Sequence, residues 1–360
     1  MISVSAGSGH VRAAQALLET AAQFDVAEVM HIDVMSYVNR GFRALYSGFY
    51  RQLILHAPAF WAYLYKKTDQ AQHNDVHTLV RRLIERWCTT RLIKKVTQFQ
   101  PDHIICTHFL PAELLSREIQ LGRLTCPVWV QVTDFDLHRL WVQPHMSGYF
   151  AANEEVAYKL RVYGIPAAQI HVTGIAVAAV FHPQPKVRPL PGLLTVLVLS
   201  GGVHIGSVTE ISARLLRRHE GIKVIAIAGN NHQQLAELQL LAEEFSFRLI
   251  PMGFSQCIEK WMALSDVVIT KPGGLTSSEC LIMGLPMLLV DPIPGQEERN
   301  GDFLLEHGAA LKAHDMAGLE YKLAQLIDDP QRLAAMSAAM LAIAKPDAAR
   351  QVLTQVLESR

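Results

Sequence analysis

Short runs of apolar, often β-branched residues alternate with longer helical patterns along almost the whole chain. Most of these runs are apolar on both faces, which is typical of strands in a parallel sheet covered by helices. The alternation therefore predicts an α/β fold with doubly wound parallel sheets. The predicted strands are residues 2–4, 103–106, 128–132, 194–199, 224–228, 267–270 and 287–290.

A proline-rich segment divides the 360 residues into two halves. Residues 181–192 hold four prolines and one glycine, which neither a helix nor a central strand accepts. We predict a Rossmann-like domain at 1–180, a linker at 181–192, a second Rossmann-like domain at 193–340, and a C-terminal helix at 341–360 packing back on the first domain. Ligands of such folds bind beyond the carboxyl ends of strands, so we expect an interdomain cleft.

The overall charge gives no reason to expect a nucleic-acid partner, because 33 basic residues balance 33 acidic ones. The five cysteines are odd in number and widely spaced, which favours reduced, buried thiols in a cytoplasm. No secretory signal opens the chain, and no apolar run of about 18 residues predicts a transmembrane helix. The sequence leaves open whether the protein is soluble or lies on a membrane surface.

The basic residues are concentrated in one region. Residues 36–95 contain eleven basic and three acidic side chains, and residues 36–67 contain no acidic one. The same 36–67 segment holds nine aromatic residues. Aromatic side chains beside basic ones suit an anionic membrane surface, although helically spaced aromatics also suit a buried core.

A glycine turn opens a predicted helix in each half of the chain. Gly7 and Gly9 precede a helix pattern at 11–24, and a helix N-terminus there can bind an anion. His10 in the first turn is either a proton acceptor near neutral pH or a solvent-facing histidine. In the second half, Gly201 and Gly202 can approach a pyrophosphate or form a simple turn. Neither a Walker P-loop nor a GxGxxG nicotinamide motif is present.

Two further segments carry polar side chains directly after predicted strands. Asp134 and Asp136 can hold a divalent cation, or Asp134 can cap a turn or orient a histidine. Asp134 and His138 share a face if this segment is helical, which makes an acid–base dyad. The second of these segments follows the strand at 267–270 and is rich in turn-forming residues.

The stretch from 270 to 300 combines glycines, prolines and carboxylates. A helix at 276–283 is predicted, with Thr276 or Ser277 near its cap and Glu279 in its first turn. There Glu279 complements the helix dipole or accepts ribose hydroxyls. Gln296 and Glu297 suit sugar hydroxyls or a solvated loop.

These motifs together resemble glycosyltransferase family 28, and in particular the monogalactosyl- and glucosyl-diacylglycerol synthases. The resemblance rests on residues 7–14, 132–141, 172–175, 270–276 and 294–297. It implies a GT-B fold, with two Rossmann-like domains and a cleft, and inverting transfer of a hexose from a UDP-sugar to diacylglycerol. It implies no metal and no other cofactor, so Asp134 and Asp136 are not expected to form a metal site.

The resemblance also implies roles for individual residues. Catalysis is expected from His10 with Asp134 or His138, and Gly7 and Gly9 are expected at the acceptor or phosphate. The expected donor-binding residues are Gly201, Gly202, Phe254, Gly273, Gly274, Thr276, Glu279, Gln296 and Glu297. With a lipid acceptor implied, the expected membrane-binding residues are Arg40, Phe42, Arg43, Tyr46, Arg51, Trp61, Lys66 and Lys67. The expected location is cytoplasmic, peripheral on the inner face of the cell membrane.

Other functions stay open at this point. One alternative is a UDP-N-acetylglucosamine-using transferase with another lipid-linked acceptor. Another is a UDP-N-acetylglucosamine 2-epimerase, which the basic aromatic segment disfavours because an epimerase needs no lipid surface. A third is a non-catalytic sensor of nucleotide sugars, which intact His10, Glu279 and Gln296 disfavour. Glucose, galactose and N-acetylglucosamine donors are not distinguished by the sequence.

Overall fold

A computed structural model describes residues 1–5, 7–37, 57–70, 91–183, 192–200 and 205–359. The chain forms two compact units. Unit 1 comprises Met1–Ala179, Pro294–Gln296 and Lys345–Arg360, and unit 2 comprises Val180–Ile293 and Glu297–Ala344. Each unit contains one six-stranded sheet whose neighbouring strands all run parallel.

The sheet of unit 1 has the strand order β2-β1-β3-β4-β5-β6. Its strands are β1 Ile2–Ser3, β2 Ile32–Asp33, β3 Ile104–Cys106, β4 Val128–Gln131, β5 Gly148–Ala151 and β6 Ile170–Val172. The α-helices of this unit are Ser8–Ala21, Pro58–Gln70, Phe109–Gln120, Glu154–Val162 and Ala348–Glu358, and residues 91–99 are also helical. Short 3₁₀ helices lie at Val34–Ser36, Arg139–Trp141 and Ala167–Gln169.

Apolar side chains cover both faces of this sheet. On one face Val130 packs in a buried cluster with Leu115 and Leu160. In a second buried cluster, Phe150 packs with Leu17 of the first helix and Val352 of the C-terminal helix. Burying such a side chain fully stabilises the fold by roughly 1.5–3 kcal/mol. The two-sided burial explains why these strands read as continuous apolar runs.

The sheet of unit 2 has the strand order β12-β11-β10-β7-β8-β9. Its strands are β7 Leu194–Val198, β8 Ile222–Ile227, β9 Leu249–Met252, β10 Val267–Thr270, β11 Met287–Leu289 and β12 Ala310–Lys312. Its helices are Val208–Arg218, His232–Glu244, Ile258–Ala263, Gly274–Met283, Gln296–Glu306, Met316–Asp328 and Pro330–Ile343, of which Gln296–Glu306 begins on the last residue assigned to unit 1. The first of them starts with a capping box between Ser207 and Glu210, which satisfies two free amides.

The predicted fold class is confirmed. All seven predicted strands exist, and β10 has the predicted bounds. Five further strands, β2, β5, β6, β9 and β12, were not predicted. The helix Met316–Asp328 ends before Pro330, which begins the next helix, and the helix Ala348–Glu358 begins after Pro346, because proline is accepted in the first turn of a helix but not in its interior. Within the described ranges, no helix has the length and apolar character needed to cross a bilayer.

Candidate active site

His10 is held by the loops that follow β3 and β4. It is the third residue of the helix Ser8–Ala21, which starts shortly after β1. Its Nδ1 lies 3.0 Å from the carbonyl oxygen of Thr107 and 2.9 Å from Oγ1 of Thr133. The Thr107 hydroxyl donates in return to the carbonyl oxygen of His10, at 2.8 Å. These contacts fix both the backbone and the ring of His10.

The contact with Thr107 determines which ring nitrogen of His10 carries the proton. A carbonyl oxygen can only accept a hydrogen bond, so Nδ1 must be the protonated nitrogen of the neutral ring. Nε2 then carries the free lone pair. It makes no hydrogen bond within the described parts of the chain. Nε2 of His10 is therefore placed to accept a proton from a bound molecule.

Burial and charge act on His10 in opposite directions. Burial lowers the pKa of His10 below the ordinary 6.5, while the Asp134 carboxylate and the Thr107 carbonyl raise it. Burial has the larger effect, so the imidazole is neutral at neutral pH. Once a proton arrives on Nε2, the same carboxylate and carbonyl stabilise the imidazolium. This is the behaviour that a general base requires.

Asp134 is buried in the segment that follows β4. Its Oδ1 accepts a hydrogen bond of 2.6 Å from Nε2 of Gln296, which belongs to the same unit. An amide donor stabilises the ionised carboxylate and fixes its direction. In this structure the Gln296 side chain, which was expected to contact the hexose, donates a hydrogen bond to Asp134.

His138 has both ring nitrogens engaged with the protein. The segment from 132 to 138 is not helical, so the predicted dyad of Asp134 and His138, which relied on helical spacing, is wrong. His138 caps the 3₁₀ helix Arg139–Trp141, and its Nδ1 accepts from the amide of Leu140 at 3.1 Å. Its Nε2 donates to the carbonyl oxygen of Tyr65 at 3.0 Å. His138 therefore holds the helix Pro58–Gln70 rather than a substrate proton.

Asp136 has a different partner from Asp134. Its Oδ1 accepts from Nζ of Lys159 at 2.5 Å, and Lys159 also pairs with Glu155. These two carboxylates raise the pKa of Lys159 against the effect of its partial burial. The two aspartates of the Asp-x-Asp pair thus serve separate hydrogen-bond partners.

A second histidine of the site, His108, was not predicted from the sequence. It follows β3 and is buried, with 4% of its surface exposed. Its ring packs edge-on against that of His10, with centroids 4.5 Å apart. Burial, and secondarily the charge of His10, lower the pKa of His108 well below 6.5. The available signal was its position, because His108 follows β3 as Asp134 follows β4.

The helix Gly274–Met283 of unit 2 starts two residues earlier than predicted. Gly273 is its N-cap, and no side chain of the described residues caps it. The amides of Gly274, Leu275 and Thr276 fall in the first turn, where intrahelical bonding leaves amides free. A helix start of this kind binds phosphate through backbone N–H groups and the helix dipole.

The predicted position of Glu279 in the first turn is wrong, because it is the sixth residue of the helix and 2% exposed. A role in complementing the helix dipole therefore does not apply, since that effect fades beyond the first turn. Glu297 lies beside the same helix start. Its Oε2 accepts from the Ile293 amide at 2.7 Å, and its Oε1 lies 3.8 Å from where a Cβ on Gly273 would be. Phe254, also predicted at the donor, is 66% exposed.

The structure describes only some of the remaining predicted site residues. Gly7 is the N-cap of the first helix in an extended conformation that any residue adopts, and Gly9 lies in the first turn. Trp61 is half-buried, and its Nε1 donates to the carbonyl oxygen of Pro294, so its expected membrane contact is not what this geometry favours. Lys66 and Lys67 are exposed. Gly201, Gly202, Arg40, Phe42, Arg43, Tyr46 and Arg51 lie outside the described residues.

A cavity of about 240 Å³ lies elsewhere in unit 1. It is lined by the first residues of β1, β2 and β3, together with apolar side chains such as Phe99 and Leu353. It contains none of the predicted site residues. The candidate site lies instead beyond the carboxyl ends of the same strands.

Comparison with known families assigns both halves of the chain. Residues 10–177 match the model of monogalactosyldiacylglycerol (MGDG) synthase, and residues 195–352 match that of the glycosyltransferase family 28 C-terminal domain. The chain belongs to glycosyltransferase family 28. This glycosyltransferase is 26% identical to a processive diacylglycerol beta-glucosyltransferase from Bacillus mycoides, over 98% of this chain and 91% of the relative.

Solved structures resemble the family 28 glycosyltransferase over nearly its whole length. MurG from Acinetobacter baumannii has a TM-score of 0.65 at 17% identity, with 99% of each chain covered. The UDP-GlcNAc 2-epimerase from Neisseria meningitidis, bound to UDP-GlcNAc, has a TM-score of 0.63 at 14% identity, again with 99% of each chain covered. At these identities the likeness shows the fold alone, which is the predicted GT-B class of two Rossmann-like domains.

Proposed function

We propose that this glycosyltransferase moves a hexose from a UDP-sugar to the hydroxyl of diacylglycerol, with inversion at the anomeric carbon. The observation that carries the proposal is the fixed tautomer of His10, whose unpartnered Nε2 can take a proton beside a buried carboxylate. The acceptor comes from the matched MGDG synthase family and from the name of the Bacillus mycoides relative. The UDP-sugar donor is supported by the UDP-GlcNAc bound in the structurally similar epimerase.

The reaction is a single displacement. The acceptor hydroxyl gives its proton to Nε2 of His10, and its oxygen forms the bond to the anomeric carbon. The bond between that carbon and the diphosphate oxygen breaks, and UDP leaves with the electron pair. Asp134 and the Thr107 carbonyl stabilise the imidazolium that results. General-base assistance of this type is worth ~10² to 10⁴ in rate.

The departing diphosphate needs charge stabilisation, which we assign to the start of the helix Gly274–Met283. Because none of the described side chains caps this helix, its first amides are available to phosphate oxygens. Gly273 and Thr276 flank these amides, and Glu279 is assigned to the ribose. Gln296 and Glu297 are assigned to the hexose, and Gly201, Gly202 and Phe254 to the rest of the nucleotide. We propose that this electrostatic arrangement works without a metal ion, so turnover persists in excess chelator.

We also propose a peripheral position on the inner face of the cell membrane. Phe60 and Tyr63 of the helix Pro58–Gln70 are 52% and 60% exposed, and Lys66 follows at the same helical spacing. Exposed aromatic and basic side chains on one helix face suit an anionic bilayer. Each basic residue near such a bilayer contributes about 1 kcal/mol.

Vesicle co-sedimentation tests the membrane proposal. The double variant Lys66→Glu with Lys67→Glu should lose binding to anionic vesicles, and high salt should release the unmodified protein. Lys322→Glu with Lys345→Glu changes charge equally outside the 36–95 region and serves as the matched control. Equal binding of the unmodified protein to neutral and anionic vesicles would contradict the electrostatic part.

Product analysis tests the reaction itself. The protein is incubated with UDP-glucose, UDP-galactose or UDP-N-acetylglucosamine and diacylglycerol vesicles, and lipids and nucleotide sugars are identified by mass spectrometry and chromatography. A β-linked glycolipid is the expected product. An epimerised nucleotide sugar would replace this proposal with the epimerase alternative. No product with any donor would favour a sensing protein.

A further inference from the structure

We propose that His108 binds the acceptor hydroxyl by donating a hydrogen bond from Nε2, while His10 receives that hydroxyl's proton. The inference rests on the proposed function, because it assigns a second residue to the same acceptor site. It starts from the contact between the two rings, whose centroids lie 4.5 Å apart.

The tautomer of His108 is fixed by the helix that it caps. Its Nδ1 accepts a hydrogen bond of 3.0 Å from the amide of Leu110 at the start of the helix Phe109–Gln120. A backbone amide can only donate, so Nδ1 carries the lone pair. The neutral ring, which burial favours, must then carry its proton on Nε2.

The Nε2–H group of His108 has no partner in the described parts of the chain. The residue as a whole is 96% buried, since 4% of its surface is exposed. Nε2 itself is not fully buried, so its N–H is open to solvent and can reach a bound acceptor. A molecule bound against the His10 ring is within reach of it.

The two rings offer complementary groups to one hydroxyl. His10 presents a lone pair on Nε2 and His108 presents an N–H on Nε2, so the tautomers are opposite. A hydroxyl has one hydrogen to donate and two lone pairs to accept with. It can therefore give its hydrogen to His10 and accept from His108 at once. An alcohol fits this pair, whereas a carbonyl or an ether oxygen satisfies only His108.

Two substitutions separate this role from the capping role. His108→Asn keeps an acceptor in the place of Nδ1 and caps the helix well, but lacks the distant donor. His108→Gln keeps an N–H near the place of Nε2, but is a poor cap. If His108 binds the hydroxyl, Asn lowers kcat/KM for the acceptor by ~10- to 100-fold with little loss of stability. Gln is then the more active variant and the less stable one.

His314→Asn and His314→Gln alter an exposed histidine in the same way and should match the unmodified protein. Wild-type activity of the Asn variant overturns the proposal, as does equal loss in two folded variants. So does an activity order that follows the unfolding temperatures.

A spectroscopic measurement keeps the inference testable whatever the acceptor is. With ¹⁵N-labelled histidines, long-range proton–nitrogen spectra should show His10 protonated on Nδ1 and His108 on Nε2. Addition of a short-chain diacylglycerol should shift the Nε2 signals of both residues. Protonation of His108 on Nδ1 overturns the inference. A wild-type protein that glycosylates no lipid refutes the proposed function instead, while the tautomer of His108 remains measured.

Discussion

Replacement of His10 separates its chemical role from its structural one. Loss of the base should reduce turnover by ~10² to 10⁴, which corresponds to about 3–5 kcal/mol in the barrier. His10→Ala also removes the donor that faces Thr107 and Thr133, both of which are buried. A buried acceptor without a donor costs roughly 1–3 kcal/mol of folding free energy. His10→Ala should therefore be slow and destabilised.

His10→Asn is the matched variant for this prediction. Its amide can donate to the Thr107 carbonyl in place of Nδ1, but it offers no base at the position of Nε2. It should be as slow as the alanine variant and clearly more stable. Initial rates of glycolipid formation, thermal unfolding and calorimetric UDP binding measure the three quantities. Turnover near the wild-type value in the asparagine variant refutes the base assignment, and lost UDP binding refutes the separation of roles.

Three further results are expected. Asp134→Asn removes the charge that raises the pKa of the catalytic imidazole, so the acid limb of kcat/KM should move to lower pH while kcat at neutral pH falls. The unfolded chain binds a proton at His108 near pH 6.5, whereas burial prevents this in the folded protein. As the pH is lowered below about 6.5, the free energy of unfolding should therefore decrease by up to about 1.4 kcal/mol per pH unit, and by less in His108→Asn. Gly148→Ala places a Cβ against the Trp129 ring, closer than side-chain atoms pack. Denaturant unfolding should show a loss of ~1–3 kcal/mol in the free energy of unfolding. Gly221→Ala is the control, because its Cβ meets no atom within 4 Å.

The central strands were predictable because burial on both faces leaves a continuous apolar run in the sequence. β10 reads Val267-Val-Ile-Thr270 and has every residue buried. β5 is equally buried but begins with Gly148, which is needed for the close approach of Trp129 and disguises the strand. β6 is only half-buried and contains a histidine, as an edge strand often does. Pattern recognition thus fails where packing or exposure replaces the expected residue types.

The sequence could predict those site residues whose position follows directly from the end of a strand. His10 and Asp134 follow β1 and β4, and ligands of parallel sheets bind at those ends. The partners of these side chains could not be predicted. Asp134 pairs with Gln296, which lies 162 residues away, and His138 pairs with Tyr65, 73 residues away. Such contacts depend on tertiary packing, and no local periodicity reports them.

Three histidines of unit 1 show why the free ring nitrogen is the better guide to function. His138 caps a 3₁₀ helix and His108 caps an α-helix, both through Nδ1, so capping alone does not distinguish them. The difference is at Nε2, which in His138 donates to a carbonyl and in His108 has no partner in the described chain. His10 shows the opposite tautomer, because a carbonyl occupies its Nδ1. A neutral imidazole has one donor and one acceptor, so a single backbone contact determines what each ring has left to offer. By this count His138 offers nothing, His108 a donor and His10 a base, and the latter two together match one hydroxyl.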